Sequence, residues 1–129
     1  MIKIGILGEI GAGKSYVATN FGYPVFNADH QVAELYKKDK KIVILDIPLL
    51  LENKINKTND ILVFVQAKKS TILKRLKKRK NFNLKLLKKF KKVQYSTIYK
   101  KKKSHYIIKN NFTKKSVKDG INKILNEII

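Results

Sequence analysis

The sequence contains no cysteine. That excludes a disulfide framework and thiolate metal sites, and it fits a reducing compartment. Long apolar runs are missing too. The longest, IVILDIPLLL, is broken by Asp46 and Pro48 and does not read as a membrane span. The opening stretch MIKIGILGEIGAG lacks the apolar h-region and cleavage site of a signal peptide. A soluble, cytoplasmic protein is the expectation. There is no internal repeat and no Gly/Ser linker, and 129 residues fit one domain, spanning 1–129. His30 and His105 stand apart with no ligand spacing, and no Ser/His/Asp or Cys/His arrangement is present.

Acidic residues and arginine are scarce as well. Nine Asp and Glu face 30 Lys and Arg, for a net charge of +21, and arginine occurs only at positions 75 and 79. Such an excess points first to polyanions. Specific phosphate and base recognition, however, favours the bidentate guanidinium over the lysine ammonium. The joint excess of Lys, Ile and Asn, with little Ala and Arg, reads as the imprint of an AT-rich coding sequence ahead of a nucleic-acid surface. Charge alone argues for solubility and association, not for a function.

What is present is an alternation of short apolar strands and helices. Strands are expected at Ile2–Leu7, Tyr23–Asn27, Lys41–Asp46, Ile61–Val65 and His105–Ile108. Helices are expected from Lys14 to Phe21, ended by Gly22, and from Asp29 to about Lys38. Another opens at Ser70 and carries Ile72, Leu73 and Leu76, and a Lys-rich amphipathic stretch follows from Asn83. The last helix aligns Val117, Ile121, Ile124, Leu125 and Ile128 in one stripe. This order predicts an α/β fold with a mostly parallel five-stranded sheet flanked by helices.

GEIGAGKS, from Gly8 to Ser15, matches G-x-x-x-x-G-K-[ST] between an expected strand and an expected helix, the context that motif requires. Gly11 and Gly13 free backbone N–H groups to wrap a phosphate. Lys14 would bring charge to the β- and γ-phosphates, Ser15 an oxygen for Mg²⁺, and the helix N-terminus its dipole. Asp29 follows the second strand, where it could accept a hydroxyl proton in phosphoryl transfer or simply cap a helix. Asp46 closes the third strand, placed either to hold a Mg²⁺ shell through water or to start the turn before Pro48. Arg75 and Arg79, four residues apart, could share one helix face and one anion, or could lie on a solvated face.

Taken in order, LGEIGAGKSYVA, PVFNADHQVAELY, VILDIPLLLE, ILKRLKKR, Gln94 and HYIIKNN resemble the dephospho-CoA kinase family over nearly the whole chain. The resemblance implies a P-loop kinase that transfers the ATP γ-phosphate to the 3′-hydroxyl of dephospho-CoA, with Mg²⁺. It implies that Gly8, Gly11, Ala12, Gly13, Lys14, Ser15 and Tyr16 bind ATP, and that Ser15 and Asp46 serve the metal. It makes Asp29 the general base, sets Arg79 with Arg75 on the transferring phosphate, and puts Asn110 near the adenine end. The departures are Leu7, Glu9 and Tyr16 in the P-loop, Asn27 for the first aspartate of D-A-D, Phe90 for a lid arginine, and Lys109. Glu9 would carry negative charge towards a triphosphate. Between ELY and the DIPLL strand, relatives have several dozen residues that grip the CoA moiety. Here Lys37 to Lys41 span that gap, so most of that insertion is expected to be absent at about residues 39–40. The competing expectation is a non-catalytic nucleotide- or polyanion-binding derivative of such a kinase.

Overall fold

The computed structural model describes residues 1–27, 41–80 and 82–129. The expected helix from Asp29, including Asp29 itself, and the 39–40 junction lie outside them. Among the described residues, five strands form one sheet in the order β2-β3-β1-β4-β5, every neighbouring pair parallel. The strands are β1 (Ile2–Gly8), β2 (Val25–Phe26), β3 (Ile42–Leu45), β4 (Ile61–Gln66) and β5 (Tyr106–Lys109). The helices are α1 (Lys14–Asn20), α2 (Lys69–Lys77), α3 (Leu84–Val93), α4 (Thr97–Lys103) and α5 (Lys114–Ile128).

Period-two alternation sorts the central strands onto two apolar layers. Ile4 and Ile6 of β1, Ile42 and Ile44 of β3, and Val63 and Val65 of β4 face one layer. Val17 and Ala18 of α1, Ile72 and Leu76 of α2, and the Val117–Ile121–Ile124 stripe of α5 close it. Leu7, Val43, Leu45, Leu62 and Phe64 face the other, closed by Ile47, Leu50 and Leu51 from the turn after β3.

Several boundaries shift by a residue from expectation, and three of the differences have a local reason. β2 keeps two of five expected residues: Pro24 has no N–H to give and joins β3 only through its carbonyl, 2.8 Å from the Ile44 nitrogen. β5 starts one residue late because the imidazole of His105 enters the ladder. The Leu62 N–H donates to His105 Nδ1 at 2.9 Å while the His105 N–H donates to the Leu62 carbonyl. The Lys-rich stretch divides into α3 and α4, since Gln94 and Ser96 are extended and Ser96 caps α4 through the Tyr99 N–H. No described helix is long and apolar enough to cross a membrane.

Candidate active site

β1 and β3 are neighbours, yet the chain leaves them towards opposite faces. The loop after β1 leads to α1 in one layer, and the turn after β3 enters the other. Such a reversal opens a crevice beyond the strand ends, where open α/β sheets bind their ligands. The two loops at this crevice carry Gly8–Ser15 and Asp46.

The glycine loop is shaped by what lies under it. Gly13 takes φ +87°, and a Cβ there would stand 2.5 Å from the side-chain nitrogen of Asn110. Asn110 is only 3 % exposed. Its amide donates to the Ala12 carbonyl at 2.9 Å, and its oxygen accepts the Phe112 N–H at 2.8 Å. Asn110 therefore ties the loop after β5 to the fully buried Ala12 from below. The resemblance put it at the adenine end. In the structure it braces the loop and, with Phe112, lines a cavity beside the one around Lys14.

That cavity, of about 660 Å³, is lined by Lys14, Ser15, Asp46, Arg75, Arg79 and Lys100, with Gly11, Gly13, Tyr16, Asn27 and Phe90 also on its wall. Lys14 folds back to donate to the Gly8 carbonyl at 3.2 Å. Burial, and after it the ammonium of Lys100, lower the pKa of Lys14 below the ordinary lysine value, against the opposing pull of Asp46 and Glu52. The Ser15 hydroxyl donates to Asp46 Oδ2 at 2.7 Å. One hydroxyl and one carboxylate thus meet across the crevice beside an ammonium.

Arg75 and Arg79 both reach the cavity, but not as two positions of one helix. α2 ends at Lys77, and the Arg79 N–H donates to the Leu76 carbonyl in the turn beyond it. The Arg75 guanidinium lies 4.2 Å from the centre of the Phe112 ring. Glu9 lines a separate cavity of about 320 Å³ with Lys69, Thr97, Ile98 and Lys101, not the one around Lys14.

Two residues of this region were not singled out by sequence. Lys100 of α4 and Glu52 of the turn after β3 form an ion pair at 2.8 Å, their side chains 6 % and 7 % exposed. The same carboxylate oxygen accepts the Tyr95 N–H, whereas Glu52 Oε1 is buried without a partner. Burial works to raise the Glu52 pKa, but the Lys100 hydrogen bond and backbone N–H groups hold it below the ordinary carboxylate value. The only signal for Glu52 was a carboxylate ending the apolar run PLLLE. Lys100 was hidden in a run of four lysines.

No group of three or more His, Cys, Asp or Glu among the described residues could hold a metal by itself. Ser15 and Asp46 offer two hard oxygens. That fits Mg²⁺, which keeps most of its waters and takes one or two protein ligands beside phosphate oxygens.

A parallel 2-3-1-4-5 sheet with a glycine-lysine-serine loop, an acidic strand end and converging cations defines a protein of the P-loop fold class. Residues 26–116 match the dephospho-CoA kinase family (CoaE), and the chain belongs to that family. A dephospho-CoA kinase of Wolbachia sp. subsp. Brugia malayi is 49 % identical over 43 residues, 31 % of this chain and 22 % of that protein. Among solved structures, TT1252 of Thermus thermophilus superposes with a TM-score of 0.81 at 20 % identity, covering 99 % of this chain and 98 % of that one. The shikimate kinase of Acinetobacter baumannii gives 0.67 at 17 %, covering 99 % and 93 %. Deoxyadenosine kinase from M. mycoides gives 0.58 at 16 %, covering 97 % and 100 %. At these identities the structures attest the fold.

Proposed function

We propose that this protein phosphorylates the 3′-hydroxyl of dephospho-CoA with ATP. The observation that carries the acceptor is where the family match begins. It starts at residue 26, beyond the glycine loop that P-loop proteins share, and runs over Asp29, Asp46, Arg75, Arg79 and Lys100. The likeness therefore lies in the part of the chain that distinguishes one such kinase from another.

In this reading Gly11 to Tyr16 hold the phosphates of ATP, with Gly8 accepting the Lys14 ammonium until nucleotide takes its place. Ser15 and Asp46 would hold Mg²⁺, which neutralises phosphate charge when bound. Asp29 takes the proton of the ribose hydroxyl as its oxygen forms a bond to the γ-phosphorus. The bond from that phosphorus to the β–γ bridging oxygen breaks, and ADP leaves. Arg75 and Arg79 balance charge on the transferring group. A shortened acceptor region at the 39–40 junction belongs to the same proposal.

The test is ATP-dependent conversion of dephospho-CoA to CoA by the purified chain beside Asp29→Ala. Turnover is expected in the first and a loss of at least a hundredfold, roughly the scale of a lost general base, in the second. No turnover, or turnover indifferent to Asp29, refutes the proposal.

A further inference from the structure

We propose that Lys100 is a further phosphate-binding cation of this site, aimed at the terminal phosphate of the nucleotide by the buried carboxylate of Glu52. The inference deepens the phosphotransfer reading and rests on its nucleotide half, not on the identity of the acceptor.

Geometry carries it. Lys100 reaches the cavity from α4, a different element from the glycine loop that supplies Lys14. Its ammonium has three donor hydrogens, and Glu52 Oε2 is its one partner among the described residues. Glu52 holds it from behind: it does not line the cavity, and it also fixes the start of the α4 segment through the Tyr95 N–H. Two ammoniums thus share one wall, close enough for Lys100 to depress the basicity of Lys14. Like charges at such a wall repel until a polyanion arrives, and a triphosphate relieves both at once.

A buried ion pair can also be mere scaffolding, and removing one partner alone leaves an uncompensated charge. The experiment therefore uses Lys100→Met/Glu52→Gln, which removes both charges and keeps an acceptor for the Tyr95 N–H. Full-length wild type and variant are titrated calorimetrically with ATP and with ADP at one ionic strength. Wild type is expected to prefer ATP. The variant is expected to lose about tenfold of that preference, the scale of one charge-assisted hydrogen bond, with ADP affinity unchanged. A folded variant with the wild-type ATP:ADP ratio, or with equal loss for both nucleotides, overturns the proposal. Wild type that binds ATP no better than ADP overturns it too.

Should the variant fail to fold, the wild type decides. The Lys100 side-chain NMR signals must shift with ATP and stay in place with ADP, and unchanged signals refute the assignment. If these tests succeed while no CoA is formed, the acceptor assignment fails and Lys100 stands.

Discussion

Gly13→Ala isolates the brace beneath the glycine loop, because Gly22 provides a matched control. Both glycines are left-handed, at φ +87° and +80°, but a Cβ at Gly22 meets nothing within 4 Å, whereas at Gly13 it meets the Asn110 amide at 2.5 Å. An L-residue in the left-handed region costs about 1–2 kcal/mol, offset in part by a gain of about 0.4–1 from a less flexible unfolded chain. Gly22→Ala should therefore destabilise by about 1 kcal/mol. Gly13→Ala carries that cost and must also displace a side chain holding one buried and one part-buried hydrogen bond. Leaving one of those groups unsatisfied costs about 1–3 kcal/mol. The total should be about 3 kcal/mol, measured by urea unfolding without nucleotide. Adding Asn110→Ala to Gly13→Ala gives the new methyl room, so the double variant should lose less than the sum of the singles. Equal effects at the two glycines, or strict additivity with Asn110→Ala, would refute the brace.

Lys14→Met should trade function for stability. Because the folded state lowers the Lys14 pKa, the unfolded chain binds its proton more tightly, and the group opposes folding below the lowered pKa. Wild-type stability should gain from Lys14 as pH rises from there towards about 10.4. Lys14→Met should lack that gain, be the more stable near neutral pH, and bind ATP poorly; a variant less stable at pH 7.5 by urea titration would contradict this. Glu52 has the opposite sign: its lowered pKa contributes stability above about pH 4.3 that is lost as pH falls through the folded value. Glu52→Gln should flatten the acid limb of the stability profile, and an unchanged limb would count against the pair. Ser15→Ala and Asp46→Asn should each weaken Mg²⁺-dependent tightening of ATP binding about tenfold, roughly one hydrogen bond to a charged group, while Mg²⁺-free binding stays within twofold. Calorimetry with and without Mg²⁺ separates the two.

The sheet was legible because both its signals are local. Ile42–Leu45 and Ile61–Gln66 are short apolar runs bounded by polar turns, and GAGKS announces a strand-to-helix turn. The helical pattern of the α5 stripe was equally plain. Elements failed where a side chain took over a backbone role. Nothing in HYII says that the His105 ring will accept the Leu62 N–H. The site was half legible. Lys14, Ser15 and Asp46 could be named because motif and strand end lie close in sequence to their cause. Asn110 was named from the resemblance, but its brace joins residues 98 positions apart, and the Lys100–Glu52 pair joins α4 to the turn after β3. Contacts of that kind leave no periodicity. Arg75 and Arg79 line one cavity as their spacing suggested, although α2 ends before Arg79.

In a chain with so few acids, the placement of each one weighs on what the lysines are for. A polyanion-binding surface needs no carboxylate at all, and burying one costs desolvation that pairing often fails to recover. Three acids nonetheless sit within polar contacts. Asp46 meets Ser15, Glu52 meets Lys100, and Asp60 pairs with Lys3 at 3.3 Å and accepts the Lys57 N–H at 2.8 Å. The last pair supplies an internal comparison: it ties the start of β4 to β1, and neither residue lines the cavity around Lys14. Scaffolding and function can therefore be separated within one molecule. Lys3→Met/Asp60→Asn should lower the urea midpoint modestly and leave the ATP:ADP ratio at its wild-type value. Lys100→Met/Glu52→Gln, a matched loss of one buried pair, should change the ratio. If the two double variants behave alike in nucleotide binding, Glu52 like Asp60 serves packing only, and Lys100 is not a phosphate-binding cation.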